Sequence, residues 1–399
     1  MRLFVLICMI GSFSVSDVFV YAAELYRAEG GLVQGTLIQI DQNQFTLQTD
    51  AGTQTVPAKE TIRVELGNAS VPPRRDGLVI LANDDRIHAQ LLRSEEDFVF
   101  VRLNSYPEMG EMKIPLETIR AAYFQWPVAR ESRTHLIQKI ASPDQKSDLF
   151  YLKNGDSLEG EFLGFDARTF RFESRAGETS VPRSGIQSFS INPELINFPQ
   201  PDQLRYRITL TDGSRLVVSS LVLNQTVITA KALFGAELQC NLNRLVSITP
   251  LGGLVVPLSQ LEPAEYQFTP YLAQKWNWQR NRNVLSGPLI VGGQEFASGL
   301  GMHSAAELRY QLAGKYAAFQ TELGIDDSTN GTGDVEVTIL VDRRVAFQQA
   351  VQGAEQQTVI VPRINLSGAR ELVLKVDFGK NADIQDHLNW CRPVLILQK

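Results

Sequence analysis

The chain has 399 residues, of which 44% are hydrophobic and 21% charged, and its formal net charge is −6. That length exceeds one ordinary domain, and the composition is that of a globular protein with more than one core rather than a disordered chain. The acid excess argues against nucleic acid or an anionic lipid surface as the main partner, since either would attract a basic stripe.

Residues 1–22 read as an export signal. Met1-Arg2 gives a positive start, Leu3 to Val15 an apolar run, and Val20-Tyr21-Ala22 a small-residue pattern that places the cut after Ala22 or Ala23. A membrane anchor is the competing reading, but Asp17 interrupts the run and the purely apolar stretch is too short to span a bilayer. The expectation is therefore a secreted, periplasmic or cell-envelope protein with no transmembrane segment after cleavage. Cys8 leaves with the signal. Cys240 and Cys391 fall in different expected domains and read as buried free thiols, with pairing in an oxidising compartment as the alternative. No metal-type Cys/His spacing occurs.

From Arg27 to Gly253 the chain is a series of short β-patterns. Turns at Gly30-Gly31, Asn83-Asp84-Asp85, Asn154-Gly155-Asp156 and Asp212-Gly213 each precede an alternating apolar strand, supplying the positive-φ residues of tight hairpins. A second strand follows in each case, then a closing motif: Val56-Pro57 with Ile62, Ile114-Pro115 with Ile119, and Val181-Pro182 with Ile186. A fourth copy has Leu242, Leu245 and Ile248 without the proline. This recurrence predicts four small β-units at residues 27–70, 76–126, 147–192 and 203–253, each curled into a half-open barrel. Such units resemble SH3-like or Sm-like small barrels; two larger sandwiches sharing the strands are the alternative. Pro127 to Lys146 reads as a helical or loop excursion and Asn192 to Asp202 as a linker. His88 and His135 stand alone, and Phe98, Phe150, Phe162 and Phe170 sit at strand spacing, as core residues would.

Leu254 to Tyr271, with Pro257, Pro263 and Pro270, reads as a connector. Beyond it the strands lengthen: Ala318 to Leu323, the β-branched Val335 to Val341, Val345 to Ala350, Gln357 to Val361, Glu371 to Phe378 and Pro393 to Leu397. Seven or eight strands with polar turns predict a β-sandwich of jelly-roll form over residues 267–399, so the expected fold class is all-β.

Within this region Gly299-Leu300-Gly301-Met302-His303-Ser304 is followed by Leu308 to Leu312, Tyr316 to Phe319, Gly324-Ile325-Asp326-Asp327, Gly333-Asp334-Val335, Asn365 to Ala369 and Asp383-Ile384-Gln385-Asp386-His387 with Trp390. This ordered set resembles the NPCBM domain, a carbohydrate-binding module with a galactose-binding-like jelly-roll fold; Asn389 stands where the family tends to carry an acid. The resemblance implies sugar binding and no catalysis. Residue chemistry points the same way, since sugars are held by aromatic faces and by amide, acid or imidazole groups on their hydroxyls. Trp276, Trp278, Tyr271 and Trp390 are the candidate aromatics. His303, Asp326, Asp327, Asp386, His387 and Asn389 are the candidate polar groups. Each has a plainer role: core packing for Trp390, a hydrogen bond to a neighbouring strand for His303, strand anchoring for Trp276 and Trp278. Asp326-Asp327 opens a turn that either caps itself through aspartate-to-backbone bonds or holds a calcium ion.

No Gly-x-Ser-x-Gly elbow, His-Glu-x-x-His helix or phosphate loop is present. The sequence thus reads as a non-enzymatic glycan- or polysaccharide-binding protein. The competing function is a structural or protein-interaction role among envelope proteins without a sugar ligand.

Overall fold

The computed structural model describes residues 22–41, 43–68, 70, 76–127, 132, 136 and 145–399. Cys8, His135, the apolar run Leu3 to Val15 and most of the Pro127–Lys146 excursion lie outside the described residues. Among the described residues the fold is all-β, with 34 strands joined by tight turns and three-residue 3₁₀ helices.

The first twenty strands fall into four groups of five. The first unit comprises Ala22–Arg27, Leu32–Ile40, Gln44–Thr49, Gly52–Pro57 and Thr61–Leu66; the second Gly77–Leu81, Arg86–Glu95, Phe98–Arg102, Glu111–Pro115 and Ile119–Tyr123. The third comprises Asp148–Leu152, Ser157–Phe165, Thr169–Ser174, Gly177–Pro182 and Ile186–Ser190; the fourth Arg205–Leu210, Arg215–Asn224, Val227–Ala232, Glu237–Asn241 and Leu245–Leu251. In every unit the first strand pairs with both the second and the fifth, and strands two to four follow as antiparallel hairpins.

Two local devices repeat. The long second strand shifts register at Leu37/Gln39, Leu91/Arg93, Phe162/Gly164 and Val218/Ser220. Such a bulge bends a strand, so one half pairs with the first strand and the other half with the third. Pro57, Pro115 and Pro182 end the fourth strand and open a 3₁₀ turn with φ of −58°, −60° and −59°. A proline has no N–H to continue the ladder, and its ring fixes that φ. The fourth unit has Asn241 instead, whose side chain accepts a hydrogen bond from the Asn243 N–H at 3.1 Å.

The units are not strung in a line. The fifth strand of the first unit pairs with that of the fourth, with Val64 opposite Ile248, and the fifth strands of the second and third pair likewise, with Ala122 opposite Phe189. A single hydrophobic core runs through all four, from Leu25 and Phe45 through Leu91 and Phe170 to Ile248. Buried side chains tie the second unit to the fourth: the Asp212 N–H donates to Tyr106 Oη at 2.7 Å, and the Val217 N–H to the Asp85 carboxylate at 2.7 Å. Phe150, Phe162 and Phe170 are buried in this core, whereas Phe98 is half-buried with the Lys113 ammonium 3.5 Å from its ring centre.

The C-terminal strands form two facing antiparallel sheets. One contains Gln279–Arg280, Gly299–His303, His387–Leu397 and Tyr316–Ile325 in that order, with Val255–Pro257, Val359–Ile360 and Ile364–Asn365 added. The other runs Glu265–Phe268, Ala306–Gln311, Glu371–Phe378, Asp334–Val341, Arg344–Gln352. The expected connector Leu254 to Tyr271 supplies a strand to each sheet, so the sandwich begins at Val255 and not at Gln267. Pro257 ends its strand and Pro263 and Pro270 lie just outside Glu265–Phe268, positions where no ladder N–H is needed.

The sandwich packs on the assembly of the first twenty strands. Ala28 and Ile62 from the first unit meet Val255, Ala318, Val394 and Ile396. Around this patch Arg63 and Arg392 share Glu65 and Glu322 at 3.0 to 3.3 Å. Cys240 and Cys391 are both free and buried in separate cores, and burial pushes the Cys240 thiol up to about 12.

Candidate functional site

Strand alternation decides which candidates can reach a ligand. Gly299–His303 and His387–Leu397 pair with His303 opposite His387 and Leu300 opposite Trp390. Successive side chains point to opposite faces. Leu300, Met302, Leu388 and Trp390 enter the core between the sheets with Leu323 and Ile325, which leaves His303, His387 and Asn389 on the outer face. Trp390 is completely buried, and its indole N–H points to Met302 Sδ at 3.1 Å. As a ligand-stacking residue it is corrected to a core residue.

On the outer face three rings converge. The Trp276 indole lies parallel to the His303 imidazole, with centroids 4.7 Å apart and 2° between the planes. His387 is 5.7 Å from both rings and tilted to each. Trp276 belongs to the irregular segment after Phe268, and it is positioned by the Tyr266 hydroxyl, which donates to its carbonyl oxygen at 2.6 Å. Trp276 is half-buried. One indole face is covered by His303, so the exposed part lies on the other face and the edges. Trp278 does not share this site: it packs against the sandwich core with the Arg280 guanidinium 5.4 Å over its ring. The two tryptophans part company because the segment carrying them is not a regular strand.

Burial lowers the pKa of both histidines. His303 Nδ1 lies 3.1 Å from the Ser304 carbonyl, an acceptor, which keeps the proton on Nδ1 and leaves Nε2 free to accept. His387 is pushed down to about 4 by burial and by the neighbouring His303. Beside it, burial pushes the Asp386 carboxyl up to about 7; its Oδ1 accepts from the Asp334 N–H at 3.3 Å. Asp386 Oδ2, His387 Nδ1 and Asn389 Oδ1 are buried without a hydrogen-bond partner. Buried polar atoms are normally satisfied, so three orphans within four residues mark this strand end as unusual.

Asp326 and Asp327 serve the scaffold. The buried Asp326 carboxylate accepts from Asn283 Nδ2 at 3.1 Å, the Ile290 N–H at 3.2 Å, the Ser328 N–H at 2.9 Å and Asn389 Nδ2 at 2.6 Å. Asp327 accepts from the Gly292 and Gly293 N–H groups at 2.8 Å each. These donors occupy the lone pairs a calcium ion would need and present positive hydrogens to it. Among the described residues no group of three or more His, Cys, Asp or Glu side chains is placed to hold a metal. The two aspartates are therefore corrected from ligand or calcium residues to clamps on the loop 282–293. That loop lies directly on the outer sheet face at Gly301, where a Cβ would meet the Arg282 carbonyl oxygen at 2.5 Å. Tyr271 sits nearby in sequence but stacks edge-on against Phe378 at 5.5 Å.

Sequence reasoning singled out neither Tyr266 nor Asn283. No motif marks a tyrosine whose task is to hold a backbone carbonyl. The Asn283 side chain donates to Asp326 and accepts from the Leu285 and Gly287 N–H groups, a role defined only by folding.

Residues 255–396 match the family model of the NPCBM/NEW2 domain. A curated protein of Renibacterium salmoninarum named "Putative endo-alpha-N-acetylgalactosaminidase" is 36% identical over 91 residues, which are 22% of this chain and 6% of that protein. This chain thus spans only a small part of that relative's length. Among solved structures, the CBM51 module from Clostridium perfringens GH95 in complex with methyl-galactose is 21% identical, covering 35% of this chain and 99% of that one, with a TM-score of 0.32. The CBM51-2 and INT domains from Clostridium perfringens ZmpB are 18% identical over 45% of this chain and 37% of that one, with a TM-score of 0.33.

Proposed function

We propose that the NPCBM/NEW2 domain at residues 255–396 binds a glycan at the Trp276–His303–His387 cluster, and that the chain is a secreted, non-catalytic carbohydrate-binding protein. The exposed side of the Trp276 indole takes the apolar face of a pyranose, burying C–H surface against the ring. His303 Nε2 accepts from one sugar hydroxyl. His387, whose ring lies 5.7 Å from both Trp276 and His303, supplies a further polar edge. The four five-stranded units, small barrels of SH3-like order, act as spacer or interaction modules. The observation that carries the reading is the parallel Trp276–His303 stack beside orphaned polar atoms, inside a domain matched to a carbohydrate-binding family.

The test is a glycan array probed with the full chain, with galactose and N-acetylgalactosamine termini included, and repeated in a chelator. Discrete hits that vanish in Trp276→Ala and persist in the chelator support the reading. A flat array from folded protein favours a structural role in the envelope, in which the barrels and not the sandwich contact partners.

A further inference from the structure

A cavity of about 740 Å³ lies at the junction of the first unit, the fourth unit and the sandwich. It is far from small, falling within the roughly 300–1,000 Å³ range of small-ligand pockets, and such pockets favour domain junctions. Its charges do not balance by pairing. Arg63 and Arg392 are consumed in the quartet with Glu65 and Glu322. Glu295 is shared by two guanidiniums, Arg86 at 3.0 Å and the buried Arg215 at 3.4 Å. Arg207 lines the cavity half-buried and forms no ion pair or hydrogen bond with a described residue. The acid it acts on, Asp85, is buried and engaged by the Val217 N–H. The wall therefore presents Arg207 without an ion-pair partner among the described residues, beside Arg215, which has only a share of Glu295.

Hydroxyl-binding groups stand in the same wall. Asp212 is buried, its Oδ1 accepts from the Ser214 N–H at 2.8 Å, and the Tyr106 and Ser214 side chains lie against its carboxylate. Ser247 and Thr249 project from the fourth unit's last strand, and Val246, Leu251 and Val255 give apolar surface. Planar guanidinium donors match a carboxylate, while an acid oxygen and two hydroxyls match a polyol.

We propose that this cavity is a second binding site, for a carboxylate-bearing saccharide, with the carboxylate on Arg207 and Arg215 and the hydroxyls on Asp212, Ser247 and Thr249. The assignment is independent of the Trp276 site.

Titration calorimetry on the full chain tests it, with glucuronic acid, oligogalacturonate and N-acetylneuraminic acid as probes and glucose and galactose as neutral controls. The acidic sugars bind, the neutral ones do not enter this site, and affinity falls with rising salt. Arg207→Gln weakens acidic-sugar binding at least about tenfold, equivalent to about 1.4 kcal/mol, and leaves binding of neutral array hits unchanged. Trp276→Ala leaves acidic-sugar binding intact. If Arg207→Gln fails to fold, the Ser247→Ala/Thr249→Val double variant carries the same expectation. Equal binding by wild type and variant, loss in Trp276→Ala, absence of acidic-sugar binding, or tighter binding of an acidic peptide than of any uronate each overturns the proposal.

Discussion

Replacing Asp386 by asparagine changes how the sandwich responds to pH, and the change follows from two buried neighbours with opposite shifts. His387 is held at about 4, below the ordinary histidine value of 6.5. Between those values the unfolded chain binds more protons than the folded one, so stability rises with pH across about 4 to 6.5. Asp386 is held at about 7, above the ordinary aspartate value of 3.8. There the folded chain binds more protons, so stability falls as pH rises from about 4 to 7. At 1.36 kcal/mol per pKa unit the histidine contributes about 3 kcal/mol in one direction and the carboxyl about 4 kcal/mol in the other. In the wild type the two slopes largely cancel up to pH 6.5. Asp386→Asn leaves the histidine slope alone, so its stability relative to wild type improves by a few kcal/mol from pH 4 to 7. His387→Gln does the reverse, losing relative stability up to pH 6.5. Urea unfolding of the three proteins at pH 4, 5, 6 and 7, followed by tryptophan fluorescence, measures this. Three of the four tryptophans, at positions 276, 278 and 390, lie in the sandwich. Difference curves remove groups common to all three proteins. Parallel curves across the range refute the assigned environments of both residues.

Trp390→Ala empties the sandwich core and costs about 3–5 kcal/mol by thermal or urea unfolding, whereas Trp276→Ala costs little stability and abolishes array signal. Gly301→Ala drives a methyl into the Arg282 carbonyl at 2.5 Å; it lowers the sandwich melting temperature and frees the loop 282–293, seen as faster amide exchange at Ile290, Gly292 and Gly293. Glu322→Gln removes the acid shared by Arg63 and Arg392 at 3.2 and 3.1 Å and loosens the barrel–sandwich contact, read as new protease cleavage between the fourth unit and Val255 without loss of either core. A chelator leaves the melting temperature unchanged, because amide donors already fill Asp326 and Asp327.

The turns and strand ends among the first twenty strands follow from local signals. A glycine or aspartate with positive φ, such as Asp84 at 66° or Gly213 at 87°, and a proline that ends a strand announce themselves in a few residues. The joining of first to fourth and second to third unit was not readable, since Val64 and Ile248 carry no mark of their distant pairing. In the sandwich the ordered motifs located the domain, and period-two alternation from Leu388 already places Trp390 inward. Trp276 and Trp278 obey no such period, because a hydroxyl from Tyr266 and not a strand ladder sets the course of that segment. The roles of Asp326 and Asp327 depended on where the loop 282–293 settled, which no spacing encodes.

The pairing of the outermost barrels has a consequence for biogenesis. While the chain emerges from the ribosome, the last strand of the first unit, Thr61–Leu66, waits with one edge unpaired until Leu245–Leu251 has been made. An open, apolar edge invites other chains during that interval. Truncations that stop before the fourth unit will therefore accumulate as aggregates, and a holdase acting on the nascent chain will matter more here than for a string of independent barrels.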